Sequence, residues 1–277
     1  ASYRQDDRDA TAAADDIVDL EGLDRAPERM QLRLYRPRGQ RLERIHLRLL
    51  RREEPLAVSE VLPTFEHFGL RVIAERPYRL SWPDGTGAWV QDFELEHHAR
   101  APVALARIGA ELLGAYRAVR AGELDDDGFN RLLIAAELSA RQIMVLRTCC
   151  RYLLQTGIAF SQVYMERVLA AHPASARELV QLFEQRLALQ SGGAAAARAQ
   201  QLERRVRRSI GVLASADEDR ILRAFLAVIL ASVRSSYFVR DADGRPRPWL
   251  ARKLDCRRIS GLPQPLPQYE IFVHSPR

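Results

Sequence analysis

Four constellations in this chain have residue types that do chemistry. Glu94, Glu96 and His98 alternate on one side of a strand-like run, with His97 on the other. Carboxylate and imidazole together are zinc ligands, but no second cluster completes a tetrahedral set, so the run reads as an exposed sheet edge. Gly85-Thr86-Gly87 begins like a dinucleotide-binding turn. Val90 stands where the third glycine belongs and a strand follows, whereas a pyrophosphate needs a helix N-terminus. Glu203-Arg204-Arg205-Val206-Arg207-Arg208 puts several guanidinium groups on one helical turn, where they could hold phosphates. No aromatics are interleaved, and Glu203 is spaced to pair within the helix. Lys253, the only lysine, sits in Arg-Lys-Leu-Asp without glycine-rich surroundings. No Gly-x-Ser-x-Gly, P-loop or Cys–His arrangement appears. Catalytic, cofactor-binding and metal-binding residues are therefore all read as none.

The elements that would position such residues come from a chain of 277 residues, 47% hydrophobic and 28% charged. That composition supplies a packed core and excludes wholesale disorder. Lys+Arg 42 against Asp+Glu 36 leaves a net charge of +6, mild basicity that by itself selects no polyanion. Cys149, Cys150 and Cys256 lack metal-ligand spacing and are too few for a disulfide framework, which fits a reducing, cytoplasmic setting. The longest uncharged apolar stretch, Ala224 to Val233, falls well short of the roughly 20 residues of a membrane span. The acidic start (Asp6, Asp7, Asp9, Asp15, Asp16) is the reverse of a targeting peptide.

Residues 1–26 read as an acidic helix or linker that belongs to an upstream domain, with Ile17, Val18, Leu20 and Leu23 as its anchors. The period then changes to two, through Met30, Leu32, Leu34 and again through Ile45, Leu47, Leu49, about a turn at Arg36–Gln40. Val58, Val61, Leu62, Phe65 and Phe68 follow with helical spacing, opened by Ser59 and stopped by Gly69. Two more strands, Arg71–Leu80 and Ala88–Glu96, precede a helix from Val103 to about 120. The order β, βαββα is that of a permuted ferredoxin-like (ACT-like) domain over 27–100, in which the preceding strand fills the slot of the usual last one. From 101 to 240 the pattern is a helical domain. Ser139 with Gln142 forms a capping box, Ser161 and Pro173 open helices, and a buried central helix runs from Ala216 to Phe238. Short strands at Trp249–Lys253 and Glu270–Val273 complete 241–277. A last strand with nothing after it to finish its sheet suggests a piece of a longer polypeptide. The fold class is thus α+β, an ACT-like domain followed by a mainly α-helical bundle that ends in short strands.

Several collinear phrases resemble the large, bacterial-type NAD-specific glutamate dehydrogenases. They are Val58-Ser59-Glu60-Val61-Leu62-Pro63 running on to Phe68-Gly69-Leu70-Arg71-Val72-Ile73-Ala74-Glu75-Arg76-Pro77-Tyr78, then Trp89-Val90-Gln91-Asp92-Phe93, Asp127-Gly128-Phe129-Asn130-Arg131-Leu132 and Lys253-Leu254-Asp255, and the proline-rich run into Tyr269-Glu270-Ile271-Phe272-Val273-His274-Ser275-Pro276-Arg277. Arg234-Ser235-Ser236-Tyr237 departs from the family's Arg-Thr-Asn-Tyr.

The resemblance implies a regulatory and scaffolding segment of a cytoplasmic oxidoreductase that turns L-glutamate and NAD into 2-oxoglutarate, ammonia and NADH. It places NAD and all catalysis in a catalytic domain downstream in the same chain, so the segment alone is expected to be inactive and to hold no cofactor. It further implies a homo-oligomer and an amino-acid effector, with Glu53, Glu54 and Ser59 as the effector loop and Tyr269, Ile271 and Val273 as the contact with the catalytic domain. No membrane partner is expected. The alternative reading is a stand-alone basic helical protein that binds nucleic acid through Arg204–Arg208.

Overall fold

The computed structural model describes residues 17–23, 30–52, 54–82, 86–188 and 193–276. The chain divides into an N-terminal unit, Ala1–Gly114, and a C-terminal unit, Ala115–Arg277.

The N-terminal unit is built from β1 (Met30–Tyr35), β2 (Arg44–Arg51), α1 (Val58–His67), β3 (Leu70–Ser81) and β4 (Gly87–His97), with the first part of α2 (Leu105–Arg120). Its sheet has the order β1-β2-β4-β3, every neighbour antiparallel. This is the ferredoxin-like order with β1 in the place of the usual final strand, as the sequence pattern requires. Leu32, Leu47, Leu49, Phe93 and Leu95 share one face by register. Phe65 of α1 meets Phe93 there, ring centroids 5.3 Å apart. Gly69 ends α1 with φ +77, a conformation that suits a residue without Cβ. The helix begins differently from expectation. Ala57 is the N-cap with no side-chain bond, and Ser59 is already the second helical residue. The backbone just before it is fixed from another strand: the Leu56 N–H donates to Gln91 Oε1 at 2.8 Å, and Gln91 Nε2 donates to the Leu56 carbonyl at 2.9 Å.

β2 is buried on both faces, where simple alternation would leave His46 and Arg48 in water. Half of the second face is apolar. Leu50, Tyr78, Ala88 and Val90 form a cluster with Leu23, and Leu20 packs against it. The short helical segment at 17–22 is further held by Arg33, whose Nε and Nη2 donate to Asp19 at 2.7 and 2.9 Å. The described part of the acidic N-terminal segment therefore covers this sheet. Leu20 and Leu23 do the anchoring, while Ile17 and Val18 are exposed.

The C-terminal unit continues through a 3₁₀ turn (Gly128–Arg131), α3 (Leu132–Ala135), α4 (Ala140–Gln155), α5 (Gln162–Ala171), α6 (Pro173–Leu187), α7 (Gly193–Ile210) and α8 (Ala216–Ala231). Caps fall where the sequence puts them: Ser139 and Gln142 form a reciprocal capping box, Ser161 accepts from the Tyr164 N–H, and Pro173 opens α6. α8 is the buried helix expected, with Ile221, Leu222, Phe225, Leu226, Val228 and Ile229 enclosed.

It ends at Ala231, seven residues before the expected Phe238. Ser232–Ser235 becomes β5, which pairs with β6 (Leu250–Asp255) in the three-stranded antiparallel sheet β5-β6-β7, with β7 at Tyr269–His274. Serine hydroxyls explain the change, because they compete with helical backbone bonding. Ser235 Oγ donates to the Ala251 carbonyl at 3.0 Å, and Ser236 Oγ accepts from the Ala251 N–H at 2.9 Å. The departure Ser235-Ser236 thus fastens β5 to β6. β7, expected to lack its sheet partners, pairs with β6 along its length from Tyr269↔Asp255 to His274↔Leu250.

Candidate functional site

The loop after β2 was the expected effector loop. Glu53 lies outside the described residues, and Glu54 and Ser59 are both exposed. Arg51 Nη1 donates to the Glu54 carbonyl at 3.3 Å. Pro63 lacks an N–H, so the Ser59 carbonyl forgoes its ordinary intrahelical bond. Among the loop's described residues the one buried side chain is that of Leu56, whose backbone N–H and carbonyl are both held by Gln91, so a fixed backbone stands behind the exposed positions.

Glu94 and Glu96, the candidate metal ligands, are committed to arginines. Arg44 reaches Glu94 at 2.6 Å and Glu96 at 3.1 Å, and Arg71 also pairs with Glu96. His97 is buried on the other side, and burial with the neighbouring His98 lowers its pKa. Among the described residues no group of three or more His, Cys, Asp or Glu could hold a metal ion.

Periodicity missed a polar centre beside these carboxylates. Asp92 accepts from the Tyr35 hydroxyl at 2.5 Å and lies 3.2 Å from His46 Nδ1 and 3.4 Å from Arg48 Nη2. Arg48 also donates to the Tyr35 hydroxyl and lies over its ring. Burial favours the neutral acid, but bonds from His46 and Tyr35 and the Arg48 charge outweigh it and hold the Asp92 carboxyl down at about 2. Burial beside Asp92 pushes the Tyr35 phenol up.

Gly85-Thr86-Gly87 leads into a strand. At Gly87 a Cβ would come 2.7 Å from the Leu80 carbonyl oxygen, so this glycine serves the close approach of the β3–β4 hairpin. The strand-to-helix connections at 52–57 and 98–104 contain no glycine. These residues do not fit the pyrophosphate of NAD, which requires such a turn.

The C-terminal unit is organised by two wholly buried arginines. Arg147 on α4 places Nε and Nη2 on the two Asp127 oxygens, each at 2.8 Å, and Nη2 also on Asn130 Oδ1 at 2.8 Å. Asp127 in turn caps the 3₁₀ turn through the Phe129 N–H at 3.1 Å. Gly128 lets the Glu166 carboxylate come close: a Cβ there would lie 2.5 Å from Glu166 Oε2, so the glutamate side chain would have to shift. Asp125 is 3.0 Å from His274 Nε2 and joins β7 to this centre. Burial would raise the Asp125 carboxyl, yet His274 and Arg147 bring it below its ordinary value. Arg252 of β6 donates to Cys149 Sγ at 3.0 Å and to the Val145 carbonyl, and stacks 4.6 Å over Phe183. Cys149 is enclosed, and burial pushes its thiol up despite Arg252.

β7 has two unlike faces. Inward, Glu270 accepts from the Tyr152 hydroxyl at 2.7 Å, and the Phe272 ring meets Tyr152 edge-on at 5.7 Å. Outward, Tyr269, Ile271 and Val273 are 42%, 74% and 58% exposed. Lys253 Nζ sits 4.1 Å over the Tyr269 ring on the same face, a cation–π contact. In the basic run, Arg205 pairs with Glu178 at 2.6 Å and Arg207 with Glu203 at 2.7 Å, so two of its guanidiniums are already neutralised.

Residues 29–108 match the family model for the glutamate dehydrogenase ACT3 domain, and residues 124–189 match that for glutamate dehydrogenase helical motif 3. Residues 205–277 match the catalytic domain of bacterial NAD-glutamate dehydrogenase. That last match starts within α7, inside the region read from the sequence as a helical domain. The chain is 39% identical over 279 residues to an NAD-specific glutamate dehydrogenase of Halomonas elongata, covering 100% of this chain and 17% of that protein. It is 35% identical over 266 residues to the Pseudomonas aeruginosa protein of the same name, covering 94% of this chain and 16% of the relative. It is 40% identical over 228 residues to that of Mycobacterium tuberculosis, covering 80% of this chain and 14% of the relative. The chain thus spans about a sixth of the length of the curated relatives it matches.

Proposed function

The chain carries, in order, the ACT3 domain, helical motif 3 and part of the catalytic domain of the bacterial NAD-specific glutamate dehydrogenases, and on that premise we propose that it is the non-catalytic regulatory and scaffolding region of such an enzyme. The whole protein would convert L-glutamate and NAD into 2-oxoglutarate, ammonia and NADH in the cytoplasm, as a homo-oligomer, with NAD and substrate held outside these residues. The carrying observation is the permuted sheet order β1-β2-β4-β3 within the span that matches the ACT3 domain. The chain alone, mixed with L-glutamate and NAD, is expected to produce no NADH absorbance. Sustained glutamate-dependent NADH formation would overturn the reading.

Two surfaces would carry this role. The outward face of Tyr269, Ile271 and Val273 meets the rest of the catalytic domain, which would cover the apolar area now open to water. The loop of Glu53, Glu54 and Ser59 takes an amino-acid effector, since it joins β2 to α1 over a backbone held at Leu56 by Gln91. Calorimetric titration with aspartate, glutamate and leucine is expected to give saturable heat with one of them, removed by Ser59→Ala. No heat from any of the three would remove the effector assignment and leave the scaffolding role.

A further inference from the structure

We propose that a cavity among α6, α7, α8 and the turn at Cys256–Arg258 binds a small organic dianion, a phosphate monoester or a dicarboxylate. Its volume is about 350 Å³, within the range of small-ligand pockets. Four guanidinium groups reach it from four elements: Arg186 from α6, Arg207 from α7, Arg223 from α8 and Arg258 from the turn. Glu203 is the single carboxylate in the lining. One wall is apolar, formed by Leu226 and Leu230, and would take the body of a ligand whose charged head faces the arginines.

The four cations are not equivalent. Arg207 pairs with Glu203 at 2.7 Å, Arg223 with Asp219 at 2.7 Å and Arg258 with Asp255 at 3.3 Å, and all three side chains are about half exposed. Arg186 has no carboxylate within ion-pair distance among the described residues. Its Nη2 donates to the Leu230 carbonyl at 3.0 Å, and its Nε is buried with no hydrogen-bond partner. Burial lowers its pKa, opposed by Glu203 and reinforced by Arg258. Arg186 thus brings to the cavity a guanidinium charge that no carboxylate of the described residues offsets at ion-pair distance, and a carboxylate or phosphate accepts charge-assisted bonds from guanidinium donors. The three exposed arginines can turn from their partners toward a bound anion without unpacking a helix. The site also joins two matched regions: Arg186 lies in the helical-motif span, and the other three arginines lie in the catalytic-domain span. An occupant would tie α6 to α7 and α8.

The test is calorimetric titration of the chain with glycerol 3-phosphate and, separately, with succinate at low salt. At least one is expected to bind saturably with Kd below about 1 mM, and the tighter probe identifies the preferred head group. Arg186→Gln is expected to weaken that binding by about tenfold or more, the loss of a charged hydrogen-bonding partner. Arg223→Gln, at an exposed position on α8, should weaken it as well. Arg204→Gln is the control, because Arg204 bonds Gln200 on α7 and does not line the cavity, and it should leave Kd unchanged. The proposal is overturned if neither probe binds, if Arg186→Gln and Arg223→Gln leave Kd unaltered, or if Arg204→Gln weakens binding equally.

Discussion

Arg147→Ala is expected to destabilise the C-terminal unit by about 3–5 kcal/mol, the range for removing one member of a buried ion pair. The guanidinium is wholly enclosed and satisfies both Asp127 oxygens and Asn130 Oδ1 at once. Its loss strands a buried carboxylate and a buried amide oxygen, loosens the cap that Asp127 gives the 3₁₀ turn, and leaves a void beside Phe129. Arg147→Lys should recover little, because one ammonium cannot span the geometry that the planar fork covers. The Asp127→Ala/Arg147→Ala double variant should cost less than the two single losses combined, by about 0.5–3 kcal/mol, since the groups act as one unit. Urea unfolding followed by far-ultraviolet circular dichroism measures each cost. A midpoint for Arg147→Ala equal to that of the unaltered protein would show that the pair does not hold the unit together.

This centre also marks the limit of what the sequence discloses. Asp127-Gly128-Phe129-Asn130 could be recognised as a family phrase, but not why those residues stand there. The reasons are an arginine twenty residues on and a glutamate on α5, brought in by tertiary packing. Arg147 and Arg252 look like any other of the chain's basic residues, because a one-dimensional pattern treats arginine as surface and only long-range pairing makes it core. Local signals transferred well. The Ser139–Gln142 box, Gly69 after α1 and Pro173 at the start of α6 act within one turn of the backbone, and each sits where the residue type demands. The strand order was legible because one extra strand before a βαββα run has a single empty edge to fill. Ser232–Ser235 was not, since the apolar run of α8 flows into it, and the competing partner is the Ala251 backbone sixteen residues past Ser235. Alternation puts Tyr269, Ile271 and Val273 on one face of β7, and only the resemblance made that face a contact surface, whereas the inward anchoring of β7 through Tyr152 and Asp125 needed the folded chain.

Asp92→Ala is expected to be the most damaging single change in the N-terminal unit, at about 3 kcal/mol or more by the same buried-charge argument. The carboxylate is the shared acceptor for Tyr35, His46 and Arg48. Removing it leaves those groups enclosed and facing one another, a phenol and an imidazole beside a guanidinium. The stabilisation it provides must also be acid-sensitive, with a definite sign. A carboxyl held at about 2 when folded, against an ordinary aspartate value of 3.8, binds its proton more readily in the unfolded chain. Its contribution is therefore fully present above the unfolded value and lost as pH falls through the folded one, about 2 kcal/mol in all. Stability of the N-terminal unit should thus decline between pH 4 and pH 2, a window set by those two values, and Asp92→Asn should flatten that decline while lowering stability at neutral pH. Thermal unfolding of both proteins across the window decides the matter. An equal acid decline in Asp92→Asn would assign the loss to other carboxylates and refute the role given to Asp92.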